Sequence, residues 1–196
     1  MKRASWLWAV SLSLLGWVPS PLLAQSCAYS GAIAPAPTTR TYRNSELGFA
    51  FDIPANYRAM GLANGRVAFY DPATFEYVQC AVRNGQTVRV APAATLYVNY
   101  TPLPESNLVA LTQRVRPWLV LYQPTYEPIA DSAPEAAAPG PIPVLRYQYV
   151  HEIYGNTVVA RSFRSPNGQW LVTVEGAANS PVLPLVLPLP LSSLQP

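Results

Sequence analysis

The chain has 196 residues, 50% of them hydrophobic, with 22 prolines, one histidine, two cysteines and a formal net charge of +3. That length suits one domain plus a targeting segment, and a proline share about twice the usual ~5% argues against long helices. Nearly balanced charge without a basic cluster excludes a nucleic-acid-binding face, and one histidine with two widely spaced cysteines cannot close a zinc site.

Residues 1–26 read as a secretory signal peptide: Lys2 and Arg3, then "ASWLWAVSLSLLGWV", then "PSPLLAQS" with small residues suited to cleavage after Ala24 or Ser26. The apolar stretch falls short of the ~20 residues a spanning helix needs, so no membrane span is expected once the signal is removed. Loss of Lys2 and Arg3 lowers the 13 basic residues to 11 arginines against 10 acidic residues. Export to a periplasm, a thylakoid lumen or the extracellular space follows, and in such an oxidising compartment Cys27 and Cys80 read as one disulfide. The bond would close a loop of about 54 residues, worth roughly 4 kcal/mol in the chain-entropy treatment. The rival reading makes Cys27 a lipidated first residue, although Ala24 and Gln25 of "LAQSC" fit a lipidation signal poorly.

Residues 27–39 read as a flexible leader, 40–180 as a single domain and 181–196 as a proline-rich apolar tail packed over apolar surface. The domain opens on a hairpin: strand "RTYR", a turn from Asn44 to Gly48, and strand "FAFDI" closed by Pro54. Period-two alternation places Phe49, Phe51 and Ile53 on one face and Ala50 and Asp52 on the other. The pairs Asn64-Gly65, Asn84-Gly85, Gly155-Asn156 and Asn167-Gly168 each lie between strand-like runs. Asparagine-glycine permits the positive φ of a type I′ turn, so these predict an antiparallel meander. Its strands are "RVAFY", "EYVQCAVR", "TVRVA", "TLYVNYTPL", "VLRYQYVHEIY", "TVVARSFR" and "QWLVTVEG".

One helix is predicted over "ESNLVALTQRVRPW", capped by Ser106 or Asn107, with Leu108, Leu111 and Val115 on one stripe and Pro117 as its stop. Arg114 and Arg116 fall at its end, where they complement the helix dipole. Residues 127–143, "EPIADSAPEAAAPGPIP", read as a Pro/Ala-rich surface loop. The fold class is therefore α+β: a central antiparallel sheet with at least one covering helix.

Catalysis has few places to hide. Any Ser-His or Cys-His mechanism would run through His151, and no Gly-x-Ser-x-Gly elbow is present. If the turns at Gly155-Asn156 and Asn167-Gly168 set the register, His151 faces Ala160 and Ala160 faces Glu175. About 9 to 10 Å then separates the two ends, room for an acid/base pair spanned by a ligand. The plainer reading, a half-exposed histidine beside an unrelated glutamate, is preferred. The same register sets Glu152 diagonally near Arg161, a cross-strand ion pair rather than a reactive group. No metal site, cofactor cradle or calcium-loop spacing is seen, and the "NYT" sequon at Asn99 sits in a predicted strand. Tyrosines are the better candidates for a binding surface: Tyr42, Tyr57 and Tyr97, and above all Tyr147, Tyr149 and Tyr154, fall in or beside strands. Half-buried sheet packing is nevertheless the preferred account of these tyrosines.

Two stretches, "YRNSELGFAFDIPANY" and "YQYVHEIYGNTVVARSFRSPNGQWLVTVEGA", together resemble the PsbP-like family of photosystem II lumenal proteins and their bacterial relatives. The resemblance covers about 45 residues at the two ends of the domain and rests on a tyrosine, a turn, a Gly-Phe-x-Phe strand and a proline, followed by a late meander. It implies an α/β/α sandwich and a non-enzymatic accessory or assembly role. Prolines in "VLPLVLPLPLSSL" and the absence of lysine after residue 26 depart from the family. The functional expectation is an exported, non-catalytic binding or accessory module with a protein partner in that compartment and no cofactor. Alternatives are a small exported hydrolase using His151 with Glu175 or Glu152, and an envelope-associated structural protein.

Overall fold

A computed structural model describes residues 27–88, 90–101, 107–129, 142–151 and 155–194. Two antiparallel sheets face each other. Strands β1 (Thr39–Asn44), β2 (Phe49–Pro54) and β10 (Leu189–Pro190) form the smaller sheet in the order β1-β2-β10. The larger sheet holds β3 (Arg58–Gly61), β4 (Val67–Tyr70), β5 (Ala94–Tyr100), β6 (Thr125–Ile129), β7 (Val144–His151), β8 (Asn156–Arg164) and β9 (Trp170–Ala177). Its spatial order is β3-β4-β5-β9-β8-β7-β6. Helices α1 (Pro72–Arg83) and α2 (Leu108–Val115) lie on its other face. None of the described helices is long and apolar enough to cross a membrane. The arrangement is α+β, as the alternation and turn residues predict.

The first hairpin forms as read. Asn44 pairs with Phe49 across the turn, and Phe49, Phe51 and Ile53 are buried against Phe69, Leu96, Phe163 and Val172 of the large sheet. Their rings interlock: Phe49 meets Phe163 edge-on at 5.0 Å between centroids, and Tyr42 meets Phe69 at 5.1 Å. Asp52 is exposed and accepts a hydrogen bond from the Thr41 hydroxyl at 3.0 Å. Ala50, assigned to the outer face, is buried as well because β10 pairs alongside it. The end of the chain thus joins the core: Val182, Leu183 and Val186 are buried, and Arg161 donates to the Pro184 and Val186 carbonyls.

The run "EYVQCAVR", predicted as a strand, is the body of α1. Asp71 caps it by accepting from the Ala73 and Thr74 amides, Pro72 supplies a preset first-turn φ, and Phe75, Val78 and Ala81 form the buried stripe. Asn84-Gly85 is not a hairpin turn but the exit of this helix. Gly85 has φ +64°, its amide reaches the Val82 carbonyl and the Gln86 amide reaches that of Ala81. That is a Schellman cap, which needs the same positive φ as a type I′ turn. No described residue of "TVRVA" lies in a strand. Three of the described strands went unpredicted: β3, joined to β4 through Asn64 and Gly65 at φ 68° and 73°, β6, which begins before the expected surface loop, and the short β10 in the tail. Residues 130–141 of that loop lie outside the described residues.

The stretch expected to be a flexible leader is tied down along α1. Cys27 and Cys80 form a disulfide, which anchors to a helix rather than a strand and uses the sulfur that a lipid thioether would need. Tyr29 packs on Tyr77, the Ile33 amide donates to Asp71, and Asn56 holds Ala34 and Ala36 through its side-chain amide.

Candidate functional site

The face of the large sheet beneath α2 is polar at its centre. Directly opposed residues share a face, and the pairings Thr95 with Glu175, Glu175 with Ala160 and Ala160 with Tyr147 line up across β5, β9, β8 and β7. Sequence reasoning placed His151 opposite Ala160. His151 instead faces Asn156, and Gly155, at φ +61°, donates its amide to the His151 carbonyl at 2.7 Å. The slip is four residues, an even number, so His151 keeps its face but moves along the strand by about 13 Å. Combined with two strand spacings, its backbone lies roughly 16 Å from that of Glu175. The proposed acid/base pair does not assemble, and His151 packs against Tyr122 at 6.1 Å between rings. Arg161 stands opposite Arg146. Glu152 and Tyr154 lie outside the described residues.

The partner of Glu175 is Arg116. Asn107 starts α2 by accepting from the Val109 and Ala110 amides, Leu111 and Thr112 bury its inner face, and the helix ends at Val115 ahead of Pro117. Arg116 leaves the helical path at φ −124°, ψ 63°, which turns its side chain down onto the sheet. Its guanidinium donates to Glu175 Oε2 at 2.7 Å and to the Tyr147 hydroxyl at 2.7 Å. It also lies over the rings of Trp118 at 4.6 Å and Tyr97 at 5.5 Å. A dipole-complementing surface arginine is thus replaced by a residue only 5% exposed.

The tyrosines complete the cluster. Tyr149 donates to the same Glu175 oxygen at 3.3 Å, and the Ser162 hydroxyl links Tyr147 to Thr173. Burial, then the negative charge of Glu175, holds the Tyr149 phenol far above its ordinary range; burial likewise raises Tyr147 and Tyr97. Burial alone would weaken the Arg116 cation, but Tyr147 and Glu175 outweigh it and push its pKa up. The shifts of Arg116, Tyr147 and Tyr149 all run upward, away from neutrality. Such a group is poorly suited to shuttle protons, because catalytic acids and bases work with pKa values near the operating pH.

Of the tyrosines weighed as a binding surface against sheet packing, Tyr147 and Tyr149 are buried at 1% and 5% exposure, Tyr57 is buried, and Tyr42 and Tyr97 are half-buried. The apolar surface lies one layer above them, on the 3-10 turn Pro117–Tyr122. Residues three apart eclipse in such a turn, so Leu119 and Tyr122 share the inner side, while Val120 and Leu121 face outward and Trp118 covers Arg116 and Tyr149 with part of its ring exposed. Trp118, Val120 and Leu121 are 39%, 62% and 75% exposed. This ledge was missed in the sequence because the helical pattern was followed only as far as its stop. The available signal was "PWLVLY" itself, too apolar for a loop on an otherwise polar rim. Among the described residues no group of three His, Cys, Asp or Glu side chains converges to hold a metal.

No protein-family model and no curated protein matches the chain. Among solved structures, the solution structure of cyanobacterial PsbP from Synechocystis sp. PCC 6803 is similar at a TM-score of 0.35 and 15% identity. The alignment covers 79% of this chain and 86% of that one.

Proposed function

We propose that this protein is an exported, non-catalytic binding module that docks a protein partner through the Pro117–Tyr122 turn. The observation that carries the reading is the ledge of Trp118, Val120 and Leu121, exposed on a turn whose base is clamped by Arg116, Glu175 and Tyr147. Exposed aromatic and aliphatic side chains on a preorganised base are the usual anchors of protein interfaces, because little conformational freedom is lost on docking. Export is supported by the signal-like residues 1–26 and by the Cys27–Cys80 disulfide, which persists only in oxidising compartments. An accessory or assembly role is in keeping with the sequence resemblance to PsbP-like proteins. The rival hydrolase loses its best geometry with the separation of His151 and Glu175.

The test is cross-linking of the mature protein in its native exported fraction. Val120→Asp combined with Leu121→Asp, at the two most exposed positions of the ledge, is expected to abolish the cross-linked partner at unchanged melting temperature, while His151→Ala leaves it in place. Retention of the partner by the ledge variant, or loss of a hydrolytic activity in a folded His151→Ala protein, would overturn the proposal.

A further inference from the structure

A groove of about 680 Å³ opens far from the ledge, between β1 and β3. Four consecutive residues of β1, Arg40, Thr41, Tyr42 and Arg43, line one wall, and Tyr57 and Arg58 line the other. Side chains alternate faces along a strand, so only the strand's edge can present four in a row. That edge is open: β1 pairs with β2 alone, and β3 is itself the terminal strand of the large sheet. The Ala55 amide donates to the Thr38 carbonyl, which makes 38 and 55 a hydrogen-bonded pair. By antiparallel alternation Arg40 and Tyr42 turn their backbone groups toward β2, and Thr41 and Arg43 turn theirs into the groove.

The lining contains three arginines and no carboxylate. Arg40 is positioned by donating to the Tyr57 carbonyl at 3.0 Å and Arg58 by lying over the Phe75 ring at 5.3 Å. Ion pairs among the described residues engage Arg116 and Arg146 instead. The guanidiniums of Arg40 and Arg58 are thus held by neutral groups, and Arg43 is exposed beside them. An oxyanion alone would use the arginines but not the backbone groups of Thr41 and Arg43, which recur at two-residue spacing of about 7 Å, the repeat of an extended peptide.

We propose that this groove binds an extended acidic segment of a partner protein, which adds as a strand to the free edge of β1. Its amides and carbonyls pair with Thr41 and Arg43, and adjacent carboxylates, pointing to opposite faces, meet Arg43 on one side and Arg40 and Arg58 on the other. Main-chain pairing supplies register and the arginines select charge.

The probe is a fluorescein-labelled peptide with four consecutive glutamates flanked by valines, titrated by anisotropy against the mature, oxidised protein. Binding is expected to weaken with added salt and to weaken about tenfold or more in Arg43→Ala, in Arg58→Ala and with the glutamine version of the peptide. N-methylation of alternate peptide amides should abolish it, and Trp118→Ala should leave it unchanged. Equal affinity for the glutamine peptide, equal affinity for the N-methylated peptide, displacement by millimolar inorganic phosphate, or no saturable binding would each overturn the proposal. In the last case the arginines serve only to guard an open sheet edge.

Discussion

Truncation of Arg116 to alanine removes the donor to Glu175 at 2.7 Å, the donor to the Tyr147 hydroxyl at 2.7 Å and the cation over Trp118. Hydrogen bonds to charged groups contribute roughly 1.5 to 3 kcal/mol each, and removing one member of a buried ion pair costs about 3 to 5 kcal/mol because the other charge is left uncompensated. The Glu175 side chain retains 13% exposure and the Tyr149 hydroxyl at 3.3 Å. Residual solvation and that bond place the loss near the lower end, about 3 kcal/mol. Replacing both members, Arg116→Met with Glu175→Leu, should recover stability to within about 1 kcal/mol of the wild type or exceed it, since neither charge then needs desolvation. Guanidinium denaturation of the oxidised protein, followed by circular dichroism so that loss of Trp118 stacking does not distort the signal, gives both values at constant m. A single-variant loss below about 1 kcal/mol, or a double variant no better than the single, would refute the uncompensated-charge argument.

Phe51→Ala, in a side chain 2% exposed and in contact with Tyr42, Phe49 and Phe69, should destabilise by about 3 to 5 kcal/mol in the same denaturation assay. Gly176→Ala should cost about 1 to 3 kcal/mol, because an added Cβ would clash with the Ala93 carbonyl oxygen, a backbone atom that cannot rotate aside. Cys27→Ser should cost up to about 4 kcal/mol relative to the oxidised protein, with intact mass showing two hydrogens fewer in the native form than after reduction. Asp71 makes acid stability testable: partial burial would raise its pKa, but hydrogen bonds from the Thr74 hydroxyl and from the Ile33, Thr74 and Ala73 amides outweigh it and hold it below the usual carboxylate range. A depressed folded pKa contributes stability that is present above the unfolded value near ~3.9 and lost as pH falls through the folded one. The melting temperature should therefore drop on acidification below about pH 4, and Asp71→Asn should flatten that drop.

Local signals carried the legible part of this protein. Phe49, Phe51 and Ile53 alternate with a period only a strand satisfies, Asn107 caps a helix with atoms two and three residues ahead, and two cysteines allow one pairing. Failures arose where one local requirement serves two structures. Gly85 has the positive φ of a hairpin turn, yet Asp71 and Pro72 fourteen and thirteen residues earlier start a helix that it ends. The Gly155-Asn156 pair does not fix which residues face each other, and the register of β7 on β8, with His151 opposite Asn156, moves His151 away from Glu175.

By itself, then, the sequence determined the antiparallel α+β class and the first hairpin, which follow from periodicity and turn residues within a few positions, and the disulfide, which follows from there being only two cysteines. Only the tertiary structure decided the site. Arg116 reads as a surface residue from its neighbours, and it becomes buried because Glu175 and Tyr147, 59 and 31 positions along the chain, are brought beneath it by sheet register. A charge is stable in that position only when its partner is already there, and no local pattern encodes a partner so distant.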